Sequence, residues 1–329
     1  MNKLKLGLDI SESEYRDINL PSYSYLADLA KSEVLSPGGA LEKILYGVRD
    51  PNIGDLDGVL IGSIVDSNLT EGKDPFNLIV TNKKPGGKML SIIRGIVKNK
   101  HLMPNPTDIL SPLNDVAFEQ ICAAMKYKKT YNQRVEGVRN YEEYIEALDK
   151  YQDPFIVSKF IYNTAKRTEK VLREEYPFVI NPQDFNLEKY SQIKLKGTYN
   201  GQECKGMLDM VFINHSKKMI VPFDLKTGYA KHTDFLVKCY LGWYYYLQAA
   251  LYSRLLKQEI DKHPELKDYK VLPFQFMYCG RSDFQPLLYK VTTQQDEEAL
   301  TGFTQDGINY PGLDWLIDLY KTNIGRRKL

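Results

Sequence analysis

The chain has few of the residues that usually hold soft metals or staple small folds. Its four cysteines, Cys122, Cys204, Cys239 and Cys279, and four histidines, His101, His215, His232 and His263, are scattered through 329 residues. No Cys-x-x-Cys pair and no zinc-like spacing occurs, which excludes a readable disulfide framework or Cys/His metal cluster. No apolar run approaches the ~20 residues of a membrane-spanning helix. The opening Met1-Asn2-Lys3-Leu4-Lys5-Leu6-Gly7-Leu8-Asp9 has no signal-peptide core, so the expectation is a cytoplasmic protein with no membrane partner. A Walker-type glycine loop is missing, and with it any nucleotide motor. Internal repeats and low-complexity linkers are absent as well. Neither sign of charge dominates: 44 basic and 42 acidic side chains leave a net +2. A nucleic-acid protein of this balance must cluster its basic residues rather than accumulate them. What remains, 43% hydrophobic and 26% charged, is an ordinary globular composition with length for one large domain or two modest ones.

The most informative stretch runs from Gly206 to Gly228. Two apolar segments flank a polar turn at Asn214 to Lys218, the pattern of a hairpin. Asp209 and Asp224 are equidistant from that turn, which predicts that they lie opposite each other with Cβ atoms about 4.5–5.5 Å apart. Lys226, two residues beyond Asp224, shares its face. Two carboxylates and an ammonium then converge on a surface of Met, Val, Phe and Ile, where the facing like charges repel and are partly desolvated. A divalent cation with oxygen ligands offsets that cost, and magnesium, which keeps several waters, leaves room for a phosphate. Such a site suits phosphodiester hydrolysis, with Lys226 orienting water or neutralising charge. An Asp–Lys–Asp surface cluster is the other reading of the hairpin alone.

Beyond the hairpin, Tyr240 to Leu256 has helical spacing and places Gln248 and Tyr252 one turn apart on one face. Asp209, then Asp224-Leu225-Lys226-Thr227-Gly228, then a helix with Gln248-x-x-x-Tyr252 resembles the PD-(D/E)XK nuclease superfamily. Within it the pattern is most similar to RecB-like nucleases and exodeoxyribonuclease VIII-like phage exonucleases. The resemblance covers residues 155–292 well and the first hundred loosely, through the serine-rich opening and the Ser36-Pro37-Gly38-Gly39 breaker.

The resemblance implies an α/β fold, a restriction-endonuclease-like core with a central mixed sheet flanked by helices. A mainly helical amino-terminal part (1–150) would pack on a nuclease core (151–329). It also implies Mg²⁺ or Mn²⁺ as cofactor and DNA as partner. The implied activity is that of a magnesium-dependent deoxyribonuclease, an exonuclease of phage-type recombination or end processing. A single-strand annealing or recombination protein is an implied further partner, and the location is the host cytoplasm if the chain is phage-encoded. Asp209 and Asp224 match metal ligands, the Leu225 carbonyl a further ligand, and Lys226 the catalytic lysine. Gln248 and Tyr252 match the helix motif that approaches the DNA backbone. The iron–sulfur cluster of some RecB-like relatives is not expected, because the carboxy-terminal cysteine trio is missing.

Two positions depart from the family pattern. Gly58 to Leu69 reads as a buried helix in which Asp66 occupies the slot where relatives carry a metal-site histidine, so Asp66 is a candidate third acidic ligand. Gln192 stands near the place of a glutamate on the preceding strand and neutralises no metal charge. A structure-selective or restriction-like endonuclease, and a degenerate module that only binds DNA, are the rival functions.

Elsewhere, Lys83-Lys84-Pro85-Gly86-Gly87-Lys88 and Lys126-Tyr127-Lys128-Lys129 with Arg134 are basic clusters that suit backbone contacts or, equally, a solvated surface. Phe155 to Tyr176 reads as one long helix with Ile156 and Phe160 on its apolar face. Glu169, Glu174 and Glu175 on it are further candidate carboxylates. Strands are expected at Tyr269–Gly280 and Gln285–Thr292, and a closing helix at Gly312–Tyr320.

Overall fold

A computed structural model describes residues 4–35, 56–99, 116–151 and 154–327. The Ser36–Gly39 breaker, His101 and the turn at Asp153 lie outside the described residues. In chain order, helices α1 (Glu12–Asp17), α2 (Tyr23–Leu35) and α3 (Leu56–Thr70) precede strand β1 (Leu78–Thr81). Helices α4 (Gly87–Lys98), α5 (Val116–Ala124), α6 (Tyr131–Arg139) and α7 (Glu142–Lys150) follow, then β2 (Phe155–Ser158) and α8 (Lys159–Glu175). The next segment is β3 (Glu188–Tyr199), β4 (Gln202–Asn214), β5 (Met219–Gly228) and α9 (Tyr245–Ile260). Strands β6 (Lys270–Val271), β7 (Gln275–Gly280) and β8 (Pro286–Lys290) lead to α10 (Thr293–Thr301). The hairpin β9 (Gly302–Gln305) and β10 (Ile308–Pro311) and helix α11 (Leu313–Arg327) complete the described chain. No helix among the described residues is long and apolar enough to cross a membrane.

The chain divides into two compact units, and not at residue 150. One comprises Met1–Gly58, Leu69–Gly72 and Arg167–Leu329; the other Val59–Asn68 and Lys73–Lys166. The first 58 residues therefore belong with the sheet. One reason is visible in α2, whose Leu26, Leu29 and Ala30 are buried in the same core as Leu251 and Leu255 of α9.

The first unit is built on a mixed sheet ordered β3-β4-β5-β7-β8, with β6 a short parallel partner of β5. The strands β3-β4-β5 are antiparallel, β5 and β7 parallel, and β7 and β8 antiparallel. The β3–β4 turn is Asn200-Gly201, both with positive φ (45° and 75°), as a two-residue type I′ turn demands. Helix α9 lies on β3 and β4. Gly206 allows that approach, since a Cβ there would sit 2.7 Å from the Tyr252 ring. The core between them is rich in aromatic rings, among them Phe235, Tyr240, Tyr246, Phe276 and Tyr278.

Two helices start later than their periodicity suggests. Phe155-Ile156-Val157-Ser158 is strand β2, paired in parallel with Leu78-Ile79-Val80-Thr81, and only then does α8 begin. The β-branched and aromatic content of both segments favours that pairing. Phe160, expected on the apolar face, is instead 70% exposed. Similarly, the stretch from Tyr240 opens as the end of a π-helix, Phe235–Leu241, and α9 starts at Tyr245. The break is local: Tyr244 adopts the left-handed conformation (φ 57°), which a continuous α-helix does not accommodate.

The second unit holds the β1–β2 ribbon and a core from α4 to α7 with β2. Ile92, Ile93, Ile96, Phe118, Cys122, Val138, Tyr144 and Ile145 are its buried centre. A polar network joins α3 to this unit's own α8 residues: Lys166 donates to Asn68 (2.9 Å) and pairs with Asp74 (3.1 Å).

Candidate active site

The β4–β5 hairpin has the predicted register. Its ladder runs from Asn214–Met219 to Met210–Phe223, so the next step sets Asp209 opposite Asp224. There the backbone pairing stops, and the Asp209 carboxylate accepts the N–H of Leu225 (2.7 Å). The β3–β4 ladder is interrupted at the same level. Ser191 pairs with Met210 and Ile193 with Leu208, which leaves Gln192 opposite Asp209. Gln192 is left-handed (φ 52°), a conformation that costs a residue with a Cβ roughly 1–2 kcal/mol.

Gln192, Asp209 and Asp224 thus form one row across three strands, and the strands change phase along it. Leu208 and Val211 belong to the same core although they are an odd number of residues apart, as do Ile193 and Tyr190 opposite them. A regular strand sends such residues to opposite faces. The kinked row is where both strands reverse that alternation.

Asp224 is the buried centre of the site, only 1% exposed. One carboxylate oxygen accepts the Gln248 side-chain amide at 2.5 Å. The other forms an ion pair with the Lys226 ammonium. Gln248 Oε1 is buried with no hydrogen bond. Burial pushes the Asp224 carboxyl up, opposed by the Lys226 charge and the Gln248 amide. Burial alone would lower Lys226; the Asp224 carboxylate, with Tyr245 and Asp209, overrides it and holds the ammonium above the usual lysine range. Lys226 therefore keeps its proton throughout the neutral range.

Aromatic rings wall this charge pair. The Lys226 ammonium lies 4.8 Å from the centroid of the Tyr245 ring. Burial pushes the Tyr245 hydroxyl up to about 12, so the ring faces the ammonium as a neutral phenol. Tyr23, from α2, packs its ring 6.1 Å from Tyr245 and 6.5 Å from Tyr252, and its hydroxyl donates to the Trp243 carbonyl (2.6 Å). Tyr252 is buried and held well above the usual tyrosine value, chiefly by burial. Tyr245, Gln248 and Tyr252 recur at helical spacing, a signal present in the sequence and passed over for its first member. Nothing in the sequence announces Tyr23, whose partners lie two hundred residues away.

The structure therefore gathers Asp209, Asp224, Leu225, Lys226, Gln248 and Tyr252, with Gln192 in register beside them. Asp66 lies on α3, within the second unit. Glu169 is engaged by Arg173 at 2.7 Å. His215 bridges Tyr269 and Glu188 (2.9 and 2.8 Å) beside the hairpin turn.

The oxygen donors present fit a hard divalent cation. Asp224 presents a buried carboxylate with one oxygen facing the Lys226 ammonium, and Asp209 stands in register opposite it. No group of three or more His, Cys, Asp or Glu occurs among the described residues. A cation here would rest on the two aspartates and backbone oxygen, with water completing its shell, a pattern magnesium accepts.

Among solved structures, a crystal structure from Eubacterium rectale named "Putative exonuclease" is similar to this chain. The identity is 14%, the match covers 89% of this chain and 82% of that one, and the TM-score is 0.42. No protein-family model and no curated protein matches the chain.

Proposed function

We propose that the chain is a divalent-metal-dependent deoxyribonuclease of the PD-(D/E)XK type, an exonuclease acting in phage-type recombination or end processing. One observation carries this reading: a buried aspartate held by both a lysine two residues on and a glutamine from the next helix, with a second aspartate opposite in register. Burying one acid and half-burying a second acid and an ammonium beside tyrosine rings is costly for a fold that gains nothing from them.

Asp209, Asp224 and the Leu225 carbonyl are the proposed holders of Mg²⁺ or Mn²⁺, which when bound would neutralise phosphate charge and activate water. Lys226, locked as an ammonium, offsets the charge that develops on the phosphoryl oxygens and donates hydrogen bonds. Gln248 fixes the rotamer of Asp224, and the ring of Tyr245 shields the ammonium from solvent. Tyr252 backs the same helix face.

The test is digestion of an end-labelled linear duplex with Mg²⁺, comparing wild type with Asp224→Ala and Lys226→Ala. Progressive loss of label that falls by about 10²–10³-fold in Lys226→Ala supports the reading and reveals polarity. Cleavage of circular duplex would instead mark an endonuclease. A second reading, a non-catalytic DNA-binding module, is favoured by the neutral Gln192 in the row and by the presence of only two acids there. It predicts no cleavage with either metal and unchanged DNA binding in both variants.

A further inference from the structure

The two basic clusters, some forty residues apart in sequence, meet on one end of the second unit. Lys88, in the first turn of α4, donates its ammonium to the Lys126 carbonyl (3.2 Å). The same surface is tied by packing beneath it: a Cβ on Gly137 of α6 would lie 2.9 Å from Met89 and 3.8 Å from the Tyr127 hydroxyl. Lys129 lies over the Tyr127 ring at 5.8 Å.

What sets this patch apart from an ordinary solvated face is that two basic segments distant in sequence are brought together in it. Lys83, Lys88, Lys126, Lys128 and Lys129 are all exposed. None of the five is ion-paired to a carboxylate among the described residues. Some lysines of the first unit are paired, as in Lys5–Asp9, Lys238–Asp234 and Lys321–Asp318, while others, such as Lys257, Lys267 and Lys290, are exposed singly. Two acids of this unit are engaged by other groups: Glu119 binds Arg134 (2.6 Å), and Glu143 accepts from the backbone and side chain of Asn82. Five uncompensated charges held together repel one another, and a polyanion is what removes that repulsion.

We propose that this end of the second unit binds the phosphate backbone of nucleic acid, independently of any hydrolysis at the Asp224 site. Exposed lysines on main-chain anchors suit sequence-independent phosphate contacts, where each contact releases counterions. The face offers charge and no base-reading pocket, so its expected role is to hold a strand rather than to select a sequence.

The experiment is equilibrium binding of the full chain to a labelled DNA duplex in EDTA, over a series of salt concentrations. The triple variant Lys88→Ala/Lys126→Ala/Lys128→Ala should bind more weakly, with a plot of log K against log salt shallower by about 2.7, or about 0.9 per lost contact. Its thermal melting should match wild type. Each single variant should reduce the slope by about 0.9, which guards against a folding defect in the triple. Unchanged affinity and slope would overturn the proposal. So would loss of binding to phosphatidylglycerol vesicles with DNA binding intact, which would assign the face to a lipid surface. Because no hydrolysis is read, a failure of the nuclease proposal leaves this test untouched, and the reverse holds.

Discussion

Charge is handled in opposite ways in the two units. At the Asp224 site it is buried, few in number and fixed by partners on all sides: an ammonium, an amide and an aromatic face. On the α4–α6 end of the second unit it is exposed and predominantly basic. The first arrangement spends stability on geometry and suits chemistry at a single point. The second leaves its charges movable in water and suits a long, flexible or imprecisely placed anion. Salt should separate them, since exposed charges are screened beyond about 10 Å at 0.1 M while a buried pair is screened far less.

The sharpest way to break this comparison is to unpair the buried charges. Lys226→Met should destabilise the fold by about 3–5 kcal/mol by stranding the Asp224 carboxylate. Adding Asp224→Asn should recover most of that, whereas any lysine-to-alanine change on the basic face should stay within about 0.5 kcal/mol. Chemical denaturation reads all three. If Lys226→Met were as harmless as a surface change, the buried pair would not be a structural unit. The backbone of the row can be tested next. Gln192→Val should melt below Gln192→Gly by the equivalent of about 1–2 kcal/mol, because a β-branched residue is strained at positive φ. Tyr245→Leu should lower cleavage up to about tenfold with little change in KM, while Tyr245→Phe retains the ring over the ammonium and the rate. Equal rates in both variants would remove Tyr245 from the description of the site.

The smallest effect concerns Asp74, a well-paired carboxylate of the second unit. Burial tends to raise Asp74, but hydrogen bonds from Asn68 and Lys166 outweigh it and hold the carboxyl below its ordinary 3.8. A lowered folded-state value means that its stabilisation is present above 3.8 and is lost as pH falls through the lower value. Asp74→Asn should therefore flatten the acid end of the stability profile and leave the neutral region slightly lowered. Melting curves between neutral pH and strong acid would show it; a profile identical to wild type below pH 3.8 would not fit.

The parts of the site that the sequence reveals are those set by local rules. A hairpin turn fixes register by counting, so Asp209, Asp224 and Lys226 could be placed against one another from the turn at residues 214–218 alone. The same arithmetic from Asn200-Gly201 places Gln192 opposite Asp209, a signal as strong as the one used. Gln248 was readable from helical spacing, although the helix start was not, because the left-handed Tyr244 breaks a run whose periodicity continues through it. The remainder depends on partners far away in sequence. Strand β2 forms because Leu78–Thr81 is there to receive it, and Tyr23 joins the site only because α2 packs on α9. The division into units is likewise drawn by which segments share a core, a property of partners distant in sequence.

The discontinuity of the first unit bears on how the protein is made. A ribosome delivers helix α2 long before α9, and the Tyr23–Trp243 bond joins positions 220 residues apart. Until the last strands emerge, Leu26, Leu29 and Ala30 have no native core to enter. Every segment of the second unit, in contrast, has left the ribosome by Lys166. The nascent chain thus carries a finished middle and two unjoined ends, with an adhesive helix at the front. Its vulnerable interval is the translation of the final third, when trigger-type chaperones and lower growth temperature should matter most to yield.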